Sequence, residues 1–267
     1  MGVLVVKCGG AVPVEAVCAD LSGLAGRVVL VHGGGPEIDR LTRELGVPTR
    51  TLVSPSGITS RHTDPATLDA VTLALTGRVK PRLLRALAAA DVPAVGLTGL
   101  DGGGLLRARR KAAQRTVQDG RTVIVRDDHS GRLTSVRPDV LHTLLKAGFV
   151  PVVSPPATGE DGAPVNVDAD RAAAAIAAAL GADRLILLTT APGLLRDASD
   201  ESTLLARCAL PREGSMPYAA TGGMHRKLIA AREALLAGVP QVTVGDGRVP
   251  RPVTAALDGT GTTLEVA

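Results

Sequence analysis

Short apolar runs alternate with amphipathic segments along the chain. Residues 3–6, 28–31 and 185–188 are apolar throughout, which predicts strands buried on both faces of a sheet. Helical spacing of apolar side chains follows or precedes such runs over 14–24, 65–73, 80–90, 139–147 and 171–180. Because strands and helices alternate, the pattern predicts an α/β fold in which an open, mainly parallel sheet is sandwiched by helices.

Three segments interrupt this alternation. Residues 51–64 show no periodicity and are predicted to be irregular, with His62 as a polar loop residue. Pro155 and Pro156 are predicted to end the strand over 149–154 and begin a loop. Residues 122–125 and 133–136 flank a turn-rich stretch at 127–131, which predicts β-hairpin arms that project from the main sheet.

The composition narrows the class of protein. Among 267 residues the aromatic ones are Phe149 and Tyr218, and single-stranded nucleic acids are usually bound by stacking on aromatic rings. The net charge is only +4, and the three cysteines lack metal-finger spacing. The apolar runs are too short to span a bilayer. These features predict a cytoplasmic protein with neither a nucleic-acid nor a membrane partner.

Glycines follow the first two predicted strands. Lys7 ends the first strand and is followed by Gly9 and Gly10, so it can either contact a phosphate or lie solvated at an ordinary strand end. The triplet Gly33–Gly35 precedes a helix, which predicts an anion site at the helix N-terminus, a tight crossover turn being the alternative. The GxGxxG and GxxxxGK[ST] motifs are both missing, so a dinucleotide site and a P-loop are unsupported.

Polar residues cluster before two further predicted helices. Asn166, Asp168 and Asp170 alternate at a helix start, where one carboxylate would suffice as a cap. Lys227 follows Gly222 and Gly223. Two lysines beside glycines, with an aspartate to hold them, suit phosphoryl transfer, which needs positive charge and positioning more than covalent catalysis.

In their order along the chain, these motifs resemble the amino-acid kinase family, specifically its acetylglutamate kinase branch. The matching stretches are Lys7-Cys8-Gly9-Gly10, His32-Gly33-Gly34-Gly35, Arg61 with Thr63, Asn166-Val167-Asp168-Ala169-Asp170, and Gly222-Gly223-Met224-His225-Arg226-Lys227.

The resemblance implies an N-terminal lobe, residues 1–181, for the acyl amino acid, and a C-terminal lobe, residues 182–267, for ATP. It implies that Lys7 and Lys227 stabilise the transferring phosphoryl group and that Asp170 orients both. The implied substrate-binding residues are Gly33, Gly34, Gly35, Arg61 and Asn166, with Arg61 on the substrate's α-carboxylate. The implied nucleotide-binding residues are Gly9, Gly10, Thr189, Thr190, Gly193 and Lys227. Thr190 departs from the acidic or amide residue of many relatives. The implied Mg²⁺ is carried by ATP, with no metal site in the protein.

A dense basic cluster distinguishes the possible substrates. Its members are Arg107, Arg109, Arg110, Lys111 and Arg115. The cluster resembles that of the kinases which phosphorylate α-aminoadipate or glutamate attached to the acidic LysW amino-group carrier protein, and a basic surface can dock such a carrier. Acetylglutamate kinase is the alternative, and a non-catalytic ligand sensor on the same fold is a third possibility. The resemblance also implies a homodimer.

Overall fold

The computed structural model describes residues 2–54, 59–111, 113–118, 121–216 and 222–267. The strands are β1 Leu4–Cys8, β2 Val28–His32, β3 Thr51–Val53, β4 Thr59–Arg61, β5 Ala94–Gly99, β6 Leu106–Arg110, β7 Gln114–Gln118, β8 Arg121–Val125, β9 Gly131–Val136, β10 Val150–Gly159, β11 Pro164–Val165, β12 Arg184–Thr189, β13 Arg207–Leu210, β14 Gln241–Asp246 and β15 Thr262–Val266. The helices are α1 Val14–Asp20, α2 Gly35–Glu44, α3 Pro65–Leu73, α4 Lys80–Ala89, the short α5 Asp101–Gly104, α6 Asp139–Lys146, α7 Ala169–Ala179, α8 Gly222–Leu236 and α9 Pro252–Leu257. A π-helical turn, Ala74–Val79, joins α3 to α4, and a 3₁₀ turn spans Glu201–Thr203.

Within these ranges, eleven strands form one sheet. Its main path runs β13-β15-β14-β12-β1-β2-β10-β6-β9, with β5 and β11 also paired to β10. The central pairs are parallel, including β1 with β2 and with β12, whereas β9 and β15 run antiparallel to β6 and β14. The parallel sheet predicted from the sequence is therefore confirmed, and the carboxyl ends of β1, β2 and β12 lie side by side.

Each face of the sheet packs against its own helices. Val5 of β1 belongs to the core that contains α6, α7 and α8 residues such as Leu141, Ile176 and Leu228. Its neighbours Leu4 and Val6 belong to the opposite core, which includes side chains from α1, α4 and α9. Lys7 alternates with Val6, so its side chain lies on the α7–α8 face. In the described ranges no helix is long and apolar enough to cross a membrane.

Three local predictions need correction. Residues 51–64 were predicted to be irregular, but β3 and β4 pair as an antiparallel hairpin, with 55–58 outside the described residues. β10 does not end at Pro155 and Pro156. These prolines lie between the residues paired with β5, up to Ser154, and those paired with β6, from Thr158, so their missing N–H groups disrupt neither ladder.

The third correction concerns the projecting arms. Residues 122–125 lie in β8, which pairs with β7 as an antiparallel hairpin separate from the main sheet. β9 instead pairs with β6 along the edge of the main sheet. The basic residues of β6 consequently lie on the sheet, while Arg115 lies on the β7–β8 hairpin.

A lysine is buried at the start of α4. Lys80 is 6% exposed, its ammonium group donates to the Leu97 carbonyl, and its stem occupies the space beside Gly96. Burial lowers the pKa of Lys80 from 10.5 to about 8, with Asp101 opposing the shift. Below that pKa the folded chain holds a desolvated charge, which destabilises it.

This burial predicts a pH-dependent stability. Between pH 8 and 10.5 the unfolded chain binds more protons at Lys80 than the folded chain, so stability relative to a Lys80→Met variant should rise with pH, by up to about 3 kcal/mol. Urea unfolding across this pH range measures the difference. Lys146→Met, at an exposed position of α6, is the control and should change stability little at any pH. A constant difference between wild type and Lys80→Met would contradict the prediction.

Candidate active site

Two glycine loops meet where β1 and β2 end. A Cβ added to Gly10 would lie 2.9 Å from the backbone nitrogen of Gly35 and 3.0 Å from the Cα of Gly34. A Cβ on Gly34 would lie 2.8 Å from a methyl group of Leu75 in the π-helical turn. The absence of side chains at Gly10 and Gly34 thus lets the backbones approach each other and the N-terminus of α2. There, backbone N–H groups without intrahelical partners are available to an anion.

The two aspartates at the start of α7 have different roles. Asp168 is the N-cap, and its Oδ1 accepts hydrogen bonds from the backbone nitrogens of Asp170 (2.9 Å) and Arg171 (3.1 Å). Since Asp168 satisfies the helix terminus, Asp170 is free to bind other groups with its side chain. The sequence predicts that one carboxylate suffices as a cap, and the structure assigns that role to Asp168.

Lys7, Asp170 and Lys227 form one buried cluster, here called the lysine–aspartate cluster. Asp170 Oδ1 lies 2.8 Å from Lys7 Nζ and 2.9 Å from Lys227 Nζ, and its Oδ2 lies 3.2 Å from Lys227 Nζ. The three residues are 5%, 6% and 6% exposed. They come from the end of β1, the first turn of α7 and the first turns of α8, which are far apart in sequence.

The electrostatics of this cluster favour an anion beside it. Burial opposes ionisation of Asp170, but the two ammonium groups hold its pKa below the usual value. Burial also opposes the charge of Lys7, yet Asp170 raises the pKa of that lysine. Burial and the nearby Lys7 lower the pKa of Lys227 against the pull of Asp170. One carboxylate neutralises only one of the two cations, so a net positive charge remains in a poorly solvated place.

A cleft of about 670 Å³ is lined in part by Asp168 and Ala169, the two residues that precede Asp170. It is lined by Gly33–Gly35 from the β2–α2 loop, by Arg61 of β4, and by Asn166, which is followed by the α7 cap. All of the substrate-binding residues expected from the sequence therefore share one cavity. A Cβ on Gly33 would lie 3.5 Å from the Cβ of Ala169, which places the glycine loop directly against α7.

Two of these side chains have protein partners. Arg61 forms an ion pair with Asp39 of α2, so a substrate carboxylate would compete with or join that pair. Asn166 donates from Nδ2 to Thr63 Oγ1 at 3.2 Å. His62, which follows Arg61, lies in a loop as predicted, but it is buried: it is 5% exposed, and its Nε2 lies 3.0 Å from Asp127 Oδ1.

The residues expected at the nucleotide lie beyond the cluster, near the end of β12. A Cβ on Gly9 would lie 3.1 Å from the carbonyl of Leu188, so Gly9 packs tightly against β12. The carbonyl of Thr189 accepts from Gly247 after β14, and Thr190 is exposed. Gly193 packs against Thr262 at the start of β15, a contact that accounts for its small size structurally.

The basic cluster predicted to dock a carrier is spread over two elements. Arg107 donates to the Gly103 carbonyl, Arg109 pairs with Glu160, and Arg110 donates to the Asp128 and Arg126 carbonyls. Lys111 lines the cleft and donates to Gln114, while Arg115 is exposed on β7.

The cleft itself is strongly basic. Its charged lining residues are Arg61, Lys111, Arg132, Arg171, Arg226 and Asp168. Three of the arginines already pair with carboxylates, namely those of Asp39, Glu233 and Asp168. In the described part of the chain, Lys111 and Arg132 have no ion-pair partner. The positive charge around the cleft therefore exceeds what the protein itself neutralises.

The sequence did not indicate the buried polar contacts of Asp128, which lie behind the cleft lining. Asp128, 1% exposed, bonds to Thr63, Gln114 and Ser130. A pair of aspartates in a turn-rich stretch is typical of a solvated loop, and no periodicity marks Asp128 as buried. No group of three or more metal-ligating side chains is found in the described ranges.

Comparison with known proteins places the chain in a family. Residues 2–246 match the model of the amino acid kinase family. The LysW-aminoadipate kinase of Deinococcus radiodurans is 41% identical over 99% of this chain and 92% of that protein. The acetylglutamate kinase of Methanopyrus kandleri is 39% identical over 97% of this chain and 98% of that protein. The solved structure of smu.665 from Streptococcus mutans has the same fold, with a TM-score of 0.73 at 24% identity over 98% of both chains. The resemblance found in the sequence is thus confirmed, and the chain belongs to the amino acid kinase family.

Proposed function

We propose that this protein is an ATP-dependent kinase that phosphorylates the side-chain carboxylate of α-aminoadipate or glutamate attached to an acidic carrier protein of the LysW type. An oxygen of that carboxylate attacks the γ-phosphorus of ATP, the bond from this phosphorus to the β–γ bridging oxygen breaks, and the products are an acyl phosphate and ADP. The lysine–aspartate cluster is the observation that carries the proposal.

The roles of the cluster follow from its charges. During transfer the phosphoryl group lies between the attacking and the leaving oxygen, and its negative charge is spread over its three other oxygens. Lys7 and Lys227 can each donate to its oxygens, and Asp170 holds both ammonium groups in place before the substrates arrive. Gly9, Gly10 and the N–H groups at Gly33–Gly35 supply further donors without side chains in the way.

The proposal divides the chain by substrate. Residues 1–181 bind the acceptor through Gly33–Gly35, Arg61 and Asn166, and residues 182–267 bind ATP through Thr189, Thr190 and Gly193. Mg²⁺ would be held by the ATP phosphates and would neutralise part of their charge. Asp168 and Asp170 are not assigned to the ion, because they are engaged by the helix terminus, Arg226 and the lysines. The proposal also includes a cytoplasmic homodimer.

Surface charge favours the carrier-linked acceptor over a free one. A small acylated amino acid can be held by Arg61 and Asn166 alone. Lys111, Arg132 and Arg115 provide additional positive charge at the cleft and on the neighbouring hairpin, and charge of this kind steers and docks an acidic protein. Free N-acetylglutamate is the second candidate acceptor, supported by the similarity to acetylglutamate kinase over nearly the whole chain.

Lys7→Met tests the catalytic assignment. Removing one donor from a preorganised anion site lowers kcat by about 10² to 10³-fold, so Lys7→Met should show a loss of that size with a folded chain. Trapping the acyl phosphate with hydroxylamine measures turnover, and Lys146→Met is the matched surface control. Wild-type-like kcat in a folded Lys7→Met protein would overturn the assignment. Failure of the wild type with both acceptors would instead favour the non-catalytic ligand sensor.

Arg115→Ala/Arg132→Ala tests the choice of acceptor. Each exposed charge contributes up to about 1 kcal/mol, so the double variant should raise KM for the carrier-linked substrate about tenfold. It should also weaken the dependence of kcat/KM on salt, and leave KM for free N-acetylglutamate unchanged. Arg85→Ala on α4 is the control for charge alone. Equal effects on both acceptors, or faster turnover of free N-acetylglutamate by the wild type, would contradict carrier docking.

A further inference from the structure

The loop of residues 126–130, between β8 and β9, joins three parts of the cleft wall. His129 donates from its backbone nitrogen to the Thr63 carbonyl at 2.6 Å, and its own carbonyl accepts from Asn166 at 2.9 Å. Lys111 donates from its backbone nitrogen to the Ser130 carbonyl at 3.1 Å. The 126–130 loop therefore contacts three segments through its backbone. These are the segment at Thr63, the segment at Asn166 just before the α7 cap, and the segment at Lys111 that leads into the β7–β8 hairpin.

Asp128 is the buried centre of this loop. Its Oδ1 accepts from the backbone nitrogen of Thr63 at 2.8 Å, and its Oδ2 accepts from Gln114 Nε2 and Ser130 Oγ. A carboxylate that is 1% exposed requires such donors, because burial of an unpaired charge is strongly unfavourable. Hydrogen bonds to a charged acceptor are also the stronger kind, so these contacts fix the positions of their partners.

The two oxygens of Asp128 serve different sides of the cleft. Through Oδ1, the carboxylate holds Thr63, whose hydroxyl accepts from Asn166. Through Oδ2, it holds Gln114 at the start of β7, and Gln114 Oε1 accepts from Lys111 Nζ at 3.3 Å. Burial lowers the pKa of Lys111, and Asp128 is the group that opposes this shift by favouring the charged form.

We propose that Asp128 is a positioning residue for acceptor recognition, which fixes Lys111 and Gln114 on the hairpin side relative to Thr63 and Asn166 on the substrate side. Lys111, Gln114, Ser130 and Asn166 all line the cleft, whereas Asp128 does not. Asp128 thus acts on the acceptor through its partners, because it fixes the distance between the Lys111 ammonium group and the side-chain amide of Asn166. The kinetic part of this inference rests on the proposed function.

Asp128→Asn distinguishes the contact of residue 128 with Thr63 from its contact with Gln114. The new side chain keeps one oxygen, which can still accept from the Thr63 nitrogen. Its NH₂ group replaces Oδ2 and faces Gln114 Nε2. Either these two donors oppose each other, or the Gln114 amide turns over and presents its NH₂ group to the Lys111 ammonium group, so the chain of bonds from residue 128 through Gln114 to Lys111 is broken in both cases. Adding Gln114→Glu should restore it, because the new carboxylate can accept from that NH₂ group and also pair with Lys111. Gln114→Glu alone places two carboxylates together and should be impaired.

In steady-state kinetics, Asp128→Asn should change KM for the acceptor but not kcat. Loss of a hydrogen bond to a charged group predicts that Asp128→Asn raises KM for the acceptor about tenfold or more. Its kcat and KM for ATP should stay within about threefold, and Asp128→Asn/Gln114→Glu should recover most of the acceptor KM. Asp258→Asn, an exposed position at the end of α9, controls for loss of a negative charge. An unchanged acceptor KM, a parallel loss in kcat and ATP binding, or no recovery in the double variant would overturn the positioning role.

Hydrogen exchange tests the same positioning without any acceptor. Peptides that contain residues 113–118 should exchange faster in Asp128→Asn than in the wild type, and those around Thr63 should change less. Both should return toward wild-type rates in the double variant. Unchanged exchange in the hairpin would overturn the proposal even if the enzyme had another substrate. Wild-type inactivity with carrier-linked and free acceptors, together with the expected exchange pattern, would reject the proposed function and leave the positioning intact.

Discussion

The ion pairs between one buried carboxylate and two ammonium groups are the contacts on which the site depends. Asp170 can bridge Lys7 and Lys227 only because β1, α7 and α8 converge at the same edge of the sheet. The parallel pairing of β1 with β2 and β12 sets this convergence, since it brings the strand ends together. Removal of the carboxylate would leave two buried cations facing each other without a counter-charge. The geometry of the site therefore depends on the Asp170 charge.

The site is also preorganised to bind negative charge. The cluster keeps one uncompensated positive charge, the glycine loops supply backbone N–H groups, and the cleft contains cations that the described protein groups do not pair. These three features suit a reaction in which an anionic phosphoryl group moves to an anionic carboxylate that belongs to an acidic partner.

The sequence predicted the parts of this arrangement that depend on local chemistry. Apolar runs marked β1, β2 and β12, and helical spacing of apolar side chains marked α3 with the bounds that the structure shows. The residues alone left open whether Asp168 and Asp170 do more than cap α7, because the lysines that contact Asp170 come from distant parts of the chain. It also missed the β3–β4 hairpin, whose strands have three residues each, and the burial of Asp128, which arises only when Thr63, Gln114 and Ser130 meet in space.

The most direct test of the central claim is a crystal structure of the protein with ADP, Mg²⁺, tetrafluoroaluminate and an acyl acceptor, a complex that mimics the phosphoryl group in transfer. The account predicts that Lys7 Nζ and Lys227 Nζ both lie within hydrogen-bonding distance of the fluoride ligands. Asp170 should remain between them. A complex in which either lysine points away from the fluorides, or in which the aluminium binds outside the lysine–aspartate cluster, would contradict it.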